Sequence, residues 1–348
     1  MDALVLTAPH AFEIRDVPRP EPAANEVLCR VRAIAICGTD AEIIEGSFAG
    51  RWPRAYPFIP GHEWSGDVVA AGPVAEQNGF TIGTRVAGTS HSGCGLCRMC
   101  RIGRYNLCFN YGREDLGHRQ YGHYSQGAYA EYVVHTIKAV FRIPDDMPYD
   151  TAALCDTASI ALHSVKRPGI QPGDLVASVG SGGMGLLVGM CAKALGAARV
   201  VVVGGGRRLE RAGELGFETV DYHAGDPVER VREWSGGNGV DVAVDSAGSR
   251  DSVGQAIGMV RKGGRVAFTG IPKEPAAVSF QKVVLEELDL YGVRANRNTM
   301  EEVIPLIADG RIPAGRLITH HFALREFREA LRTFNERIDG ALKVIVEP

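Results

Sequence analysis

The sequence predicts an α/β protein: a mostly β half followed by a parallel sheet with crossover helices. Three observations carry that expectation. Up to about residue 145, valine-rich runs are punctuated by Gly, Pro and Asn, near Pro144 the pattern changes, and strands and helices then alternate to about residue 290. A chain of 348 residues favours two domains over one.

In the first half, EVLCRVRAIAIC, WSGDVVAAG, TRVAG, GAYAEYVVH and AVFRIP have the length and β-branched content of short strands. TAALCDTASIALHSVKRPG then reads as a helix. After it come DLVASVG, MGLLVGMCAKALGA, RVVVVG, RRLERAGELG, DVAVDSAG, SVGQAIGMVRKGG and RVAFTG in strand–helix rhythm. Past residue 290 the alternation stops. MEEVIPLIADGRI and REFREALRTFNER read as amphipathic helices, and ALKVIVE as a last strand in need of a partner.

The composition is that of a globular protein, with 45% hydrophobic and 23% charged residues. A net charge of −3 argues against capture by nucleic acid or by an anionic membrane. The run LLVGMCAKALGA is too short to span a bilayer, and the N-terminal residues lack a signal-peptide pattern. A cytoplasmic protein with reduced thiols is expected, so its eight cysteines favour metal over disulfides.

Four of them, Cys94, Cys97, Cys100 and Cys108, follow C-x2-C-x2-C-x7-C. Two-residue gaps let neighbouring thiolates converge on one tetrahedral ion, and the longer loop returns the fourth. Zinc is expected, with an iron–sulfur cluster as the alternative. Four thiolates leave no open position, so this site is read as structural.

A second, open metal site is assembled from three separated segments. AICGTD supplies Cys37, IPGHEWSG supplies His62 and Glu63, and LCDTAS supplies Cys155 and Asp156. One thiolate, one imidazole and one carboxylate would leave a fourth position for water or substrate. Asp40 is placed to accept the other ring N–H of the histidine.

The segment SVGSGGMG carries Gly180, Gly182 and Gly185 as G-x-G-x-x-G, after a strand and opening a helix, with Gly183 and Met184 between. Close glycine backbone at a helix N-terminus suits the pyrophosphate of a dinucleotide, the Rossmann arrangement. The next strand would ordinarily end in an acid that grips the adenosine ribose. Here RVVVV runs into Gly204, Gly205 and Gly206, then Arg207 and Arg208. Without the acid a 2′-phosphate is not repelled, and arginines can pair with it, so NADP is expected before NAD.

CGTD, GHEWSGDVVAAG, the four-cysteine lobe and GSGGMG together resemble the zinc-dependent medium-chain alcohol dehydrogenase family over nearly the whole chain. The resemblance implies a GroES-like catalytic domain over residues 1–155 and 291–348, with its structural zinc lobe at about 91–110. A Rossmann domain over 156–290 is inserted into it. Cys37, His62 and Asp156 match the catalytic zinc ligands, with Glu63 close behind the metal. The neighbouring Cys155 competes with Asp156 as a ligand, but Asp156 has the family's seven-residue spacing to His163. Thr39 matches the hydroxyl that takes the alcohol proton. Glu42 stands where the family often has a proton-relaying histidine.

Two zinc ions per chain, a small-molecule alcohol or ketone as substrate, and a homo-oligomer of two or four copies follow from the resemblance. CGTD and the residues GVRANRN and LITHHF look more like the polyol and threonine dehydrogenase branches. Glu42, His123, Tyr124, Arg294 and Asn296 are candidate polar contacts to a secondary alcohol of the polyol, sugar-alcohol, cyclitol or amino-alcohol kind. The competing expectation is a zinc-ribbon-bearing, non-catalytic NADP-binding or interaction protein.

Overall fold

A computed structural model describes residues 1–348. The chain divides into two compact units, one of Met1–Asp156, Met300–Ala308 and Ala314–Pro348, the other of Thr157–Thr299 and Asp309–Pro313.

The first unit opens with the hairpin β1 (Asp2–Ala8) and β2 (Ala11–Asp16). Its main sheet has seven strands: β3 (Glu26–Ala35), β4 (Glu63–Ala71), β5 (Arg85–Gly88), β8 (Tyr132–Thr136), β9 (Val140–Arg142), β16 (Ile318–Ala323) and β17 (Lys343–Glu347). The short pair β6 (His91–Ser92) and β7 (Arg119–Gln120) lies outside that sheet. β3 is the hub, paired antiparallel with β4, β8 and β17. The strand ALKVIVE thus finds its partner, and the C-terminus returns to the fold's first long strand. Leu28, Ile34, Trp64, Val68, Val86, Val344 and Val346 are buried in this unit, and Tyr129 packs edge-on against Phe327 of the C-terminal helix Phe327–Glu336. A methyl at Gly88 would come within 2.1 Å of the Trp64 indole, so that strand position must stay bare.

The second unit is a six-stranded parallel sheet of β10 (Leu175–Val179), β11 (Arg199–Gly204), β12 (Glu218–Asp221), β13 (Val240–Asp245), β14 (Val260–Phe268) and β15 (Asp289–Gly292). The spatial order is β12-β11-β10-β13-β14-β15, so the winding reverses between β10 and β13. Open α/β sheets bind ligands outside the carboxyl ends of the strands at such a switch point. Four consecutive valines in β11 are all buried, as a strand covered on both faces requires.

One buried residue of the first unit is electrostatically exposed to acid. His135 in β8 is fully buried, stacked on Tyr121 at 3.6 Å and edge-on to Trp64. Burial pushes its pKa down to about 3. The folded state therefore refuses a proton that the unfolded chain takes near pH 6.5, and its contribution to stability is lost as pH falls from there toward 3. His135→Phe should flatten the fall in unfolding free energy over that window by about 1.4 kcal/mol per pH unit. Denaturant titrations at stepped pH check this, and an unchanged slope would refute it.

Candidate active site

The helix Gly38–Glu45 starts where β3 ends, with Cys37 as its N-cap. His62 and Glu63 stand at the start of β4, and the ladder sets Glu63 opposite Ala35. Backbone pairing alone thus brings the two segments together. The donor atoms of Cys37, His62 and Glu63 all lie within 4.8 Å of one another. A tetrahedral zinc with ligands about 2.0–2.3 Å away would space such donors roughly 3.3–3.8 Å apart, so only small shifts would close the set.

Asp40 organises the cluster. Its Oδ2 accepts the Cys37 backbone N–H at 3.0 Å and the Tyr129 hydroxyl at 2.9 Å, while Oδ1 stands 3.2 Å from His62 Nδ1. Burial opposes ionisation, but His62 outweighs it and keeps the Asp40 pKa below the ordinary value. Burial likewise works against charge on His62, and Asp40 then Cys37 reverse this, raising its pKa well above the usual range. With Nδ1 turned to Asp40, Nε2 is the nitrogen left to ligate a metal.

The sequence expectation put Asp156 in the cluster and Glu63 behind it. In the structure Glu63 stands with Cys37 and His62, while the buried Asp156 carboxylate accepts a hydrogen bond from Thr89. Burial pushes Asp156 up to about 6, with His62 and Thr89 opposing and Glu63 adding to the shift. A divalent cation would invert that balance and favour the carboxylate. Cys155, the rival ligand, is fully buried and pushed up to about 12, the behaviour of a neutral core thiol. Two partners escaped the sequence reading: Thr89 on Asp156, and Lys343, whose ammonium pairs with Glu63. The only sequence signal for the latter is a lysine at the head of the apolar run Val344–Val346 in the final strand.

Thr39 and Glu42 lie one turn apart on the helix Gly38–Glu45, both partly exposed. The His123 ring sits 4.8 Å from that of His62 and edge-on to Trp52 at 5.0 Å, forming a wall beside the cluster. Tyr124 is engaged with His118 and lies under Arg54. Arg294 and Asn296 belong to the second unit, the arginine exposed and the asparagine buried.

In the lobe, Cys94 and Cys100 sulfurs stand 3.9 Å apart, and those of Cys97 and Cys108 3.8 Å. Those are close to the edges, about 3.8 Å, of a tetrahedron with metal–sulfur bonds of about 2.3 Å, and far beyond a disulfide bond of about 2.05 Å. Cys94 accepts N–H groups from Leu96 and Cys97 at 3.4 and 3.3 Å. Amide donors at Cys100 and Phe109 bring Cys97 down to about 6, whereas burial pushes Cys100 up to about 12. A cation is what would make all four thiolates at once.

In the second unit Gly180 makes the tight turn after β10, at φ +116°, and Gly182 caps the helix Gly183–Ala194. A methyl at Gly185 would meet the Gly180 carbonyl at 1.8 Å, so Gly185 serves close packing of helix on strand. At Gly182 the nearest atom is Arg208 Nη1 at 3.9 Å, which leaves an open cradle at a helix N-terminus with a guanidinium at its rim. A Cβ at Gly204 would strike Ser181 at 2.3 Å and one at Gly205 the exposed His223 ring at 2.6 Å, so an acid at either position would have to displace a neighbouring side chain.

Residues 23–145 match the alcohol dehydrogenase GroES-like domain and residues 183–309 the zinc-binding dehydrogenase domain. The chain belongs to the zinc-dependent medium-chain alcohol dehydrogenase family. It is an NAD(P)-dependent oxidoreductase of that family, with GroES-like and Rossmann parts. It is 32% identical to sorbitol dehydrogenase of Bacillus subtilis strain 168, over 100% of this chain and 97% of that protein. It is 34% identical to L-threonine 3-dehydrogenase of Chromobacterium violaceum, over 98% of each. A zinc-binding dehydrogenase of Sinorhizobium meliloti 1021 bound to NADP superposes with a TM-score of 0.91 at 32% identity, covering 100% and 99% of the chains. No helix is long and apolar enough to cross a membrane.

The two glycines give a divided expectation. Gly182→Ala should fold normally yet weaken binding of the nicotinamide dinucleotide by about tenfold or more, about 1.4 kcal/mol. Gly185→Ala should instead lose about 1–3 kcal/mol of stability through overpacking. Thermal melts with fluorescence titration of the cofactor check both. Unimpaired binding by Gly182→Ala would contradict the cradle.

Proposed function

We propose that the protein interconverts a secondary alcohol and its ketone, the alcohol being a polyol, sugar alcohol, cyclitol or amino alcohol, with NADP preferred over NAD. The convergence of Cys37, His62 and a carboxylate, held by Asp40 and set beside Thr39, carries this reading. The relatives' names point the same way: sorbitol is a polyol and threonine an amino alcohol.

Two zinc ions per chain fit the residues, one at Cys37, His62 and Asp156 and one at the four-cysteine lobe. When bound, the first supplies a Lewis acid to the alcohol oxygen, and NADP supplies the hydride acceptor. The remaining work falls to the chain. Asp40 holds the His62 tautomer and the Cys37 backbone. The Thr39 hydroxyl takes the alcohol's O–H proton as the carbon-bound hydrogen leaves as hydride and the C=O bond forms. Glu42, one turn further, passes that proton toward solvent. Glu63 balances charge beside the metal. In the reverse direction the same groups return the proton to the ketone oxygen.

On the cofactor, Gly182, Gly183, Met184 and Gly185 offer backbone to the pyrophosphate, with Gly180 making the turn. Gly204 and Gly205 clear the ribose edge for Arg207 and Arg208 to meet a 2′-phosphate. The NADP bound to the Sinorhizobium meliloti relative accords with this preference. Exposed Ile271, Phe280, Val284 and Leu285, close in sequence to the edge strand β15, support a homo-oligomer.

The test is a panel of polyols and amino alcohols assayed with NADP and NAD in parallel. Turnover should appear with at least one such substrate and vanish in a folded Cys37→Ser variant. Arg207→Ser/Arg208→Ser should lose about tenfold or more in kcat/KM for NADP, some 1.4 kcal/mol, while sparing NAD. Equal wild-type rates with NAD would refute the arginine assignment, and full activity in Cys37→Ser would refute the whole scheme.

A further inference from the structure

Tyr111 stands three residues past Cys108, where the chain leaves the four-cysteine lobe, and its amide N–H donates to the Cys108 carbonyl at 3.2 Å. Its ring packs against three others, His118 at 4.9 Å, Tyr124 at 5.9 Å and His91 at 6.4 Å between centroids. The hydroxyl is engaged twice. It accepts the indole N–H of Trp52 at 3.0 Å and donates to the side-chain oxygen of Gln120. A tyrosine whose ring is packed and whose hydroxyl both donates and accepts is a fixed anchor.

What it anchors lies beside the reaction centre. Trp52 meets His123 edge-on at 5.0 Å, and the His123 ring lies 4.8 Å from that of His62. His123 has its own tether, its Nδ1–H donating to the Tyr121 carbonyl at 2.9 Å. Trp52 has less. It lies in the stretch 46–57, which forms turns and bends without helix or strand, and an indole has a single donor, which Tyr111 takes. We propose that Tyr111 is a positioning residue: rooted in the lobe, it fixes Trp52 against His123, so that the two rings present one set wall to the substrate beyond its reacting carbon. The lobe, with no chemistry of its own, thereby shapes substrate recognition. The inference rests on reading the Cys37 and His62 cluster as the place where the alcohol reacts. A wall already in place needs no ordering of side chains when the substrate binds. Without the Tyr111 hydroxyl, Trp52 must be ordered on each binding event, a loss felt equally by bound substrate and transition state.

The test is a double-mutant cycle in the full-length protein, joined to the fluorescence of Trp52. Tyr111→Phe keeps the ring and removes the hydroxyl, while Trp52→Phe removes the indole N–H that the hydroxyl holds. For the polyol or amino alcohol that the wild type oxidises best, Tyr111→Phe should raise KM about fivefold and leave kcat within about twofold, the loss of one hydrogen bond used in binding alone. In a Trp52→Phe background the same change should leave KM unmoved, because the bond is already absent. A wild-type KM in Tyr111→Phe, an equal rise in both backgrounds, or a loss confined to kcat would overturn the proposal. Trp52 emission, taken as the difference between proteins with and without that tryptophan, gives a readout free of turnover. Acrylamide should quench it more strongly in Tyr111→Phe than in wild type, and unchanged quenching would overturn the proposal. If Tyr111→Phe does not fold, Trp52→Phe breaks the same bond from its other end: a KM raised about fivefold or more supports the proposal, and a wild-type KM overturns it. A wild-type protein that oxidises none of these alcohols would refute the reaction reading instead, and the quenching measurement would still decide whether Tyr111 fixes Trp52.

Discussion

The buried Asp40 carboxylate is the constraint on which the rest of the first unit's chemistry depends. It binds the Cys37 amide, the Tyr129 hydroxyl and the His62 imidazole at once. Those partners come from the end of β3, the segment before β8 and the start of β4, so one side chain joins three parts of the chain. A buried carboxylate is tolerated only when it is well partnered: two donors hydrogen-bond Oδ2, and Oδ1 faces the His62 ring at 3.2 Å. The tie also reaches the C-terminus, because Tyr129 packs against Phe327. Cys37 and Phe327, 290 residues apart, are thereby tied to one fixture.

From that fixture the two proposed metal sites differ in kind. The lobe gathers four sulfurs from one 15-residue stretch, Cys94 to Cys108, with backbone amides turned toward them. It needs little from the rest of the fold and leaves no donor position unfilled. The Cys37 cluster is drawn from distant segments and brings an imidazole nitrogen and carboxylates to a single thiol. Its geometry is set by the sheet, its charge by Asp40, Glu63, Asp156 and Lys343. The lobe, the most conspicuous feature of the sequence, is therefore the support, and the less conspicuous cluster is the proposed reaction centre.

What was legible in the sequence was local. Four cysteines at two- and seven-residue gaps, a glycine turn between strand and helix, and valine runs alternating with amphipathic segments each encode their structure within a few residues. Pairings made through tertiary contact were not legible. Nothing near Lys343 in sequence announces Glu63, 280 residues away, and nothing near Asp156 announces Thr89. The Cys155/Asp156 ambiguity was also a tertiary matter: neighbours on a helix point about 100° apart, so only the packing decides which one reaches a cluster. The missing ribose acid is the converse case. The glycines at 204 and 205 were visible, but the reason for them, the side chains of Ser181 and His223 occupying the space, belongs to the folded unit.

The central claim is that a metal sits at Cys37 and His62, apart from the metal in the cysteine lobe, and that the former is where the alcohol reacts. Anomalous diffraction at the zinc edge, from crystals of the protein as purified, measures this directly. The account predicts two peaks per chain, one enclosed by Cys94, Cys97, Cys100 and Cys108, the other bounded by Cys37 Sγ, His62 Nε2 and a carboxylate. A single peak in the lobe, from crystals that still oxidise alcohol when dissolved, would contradict it.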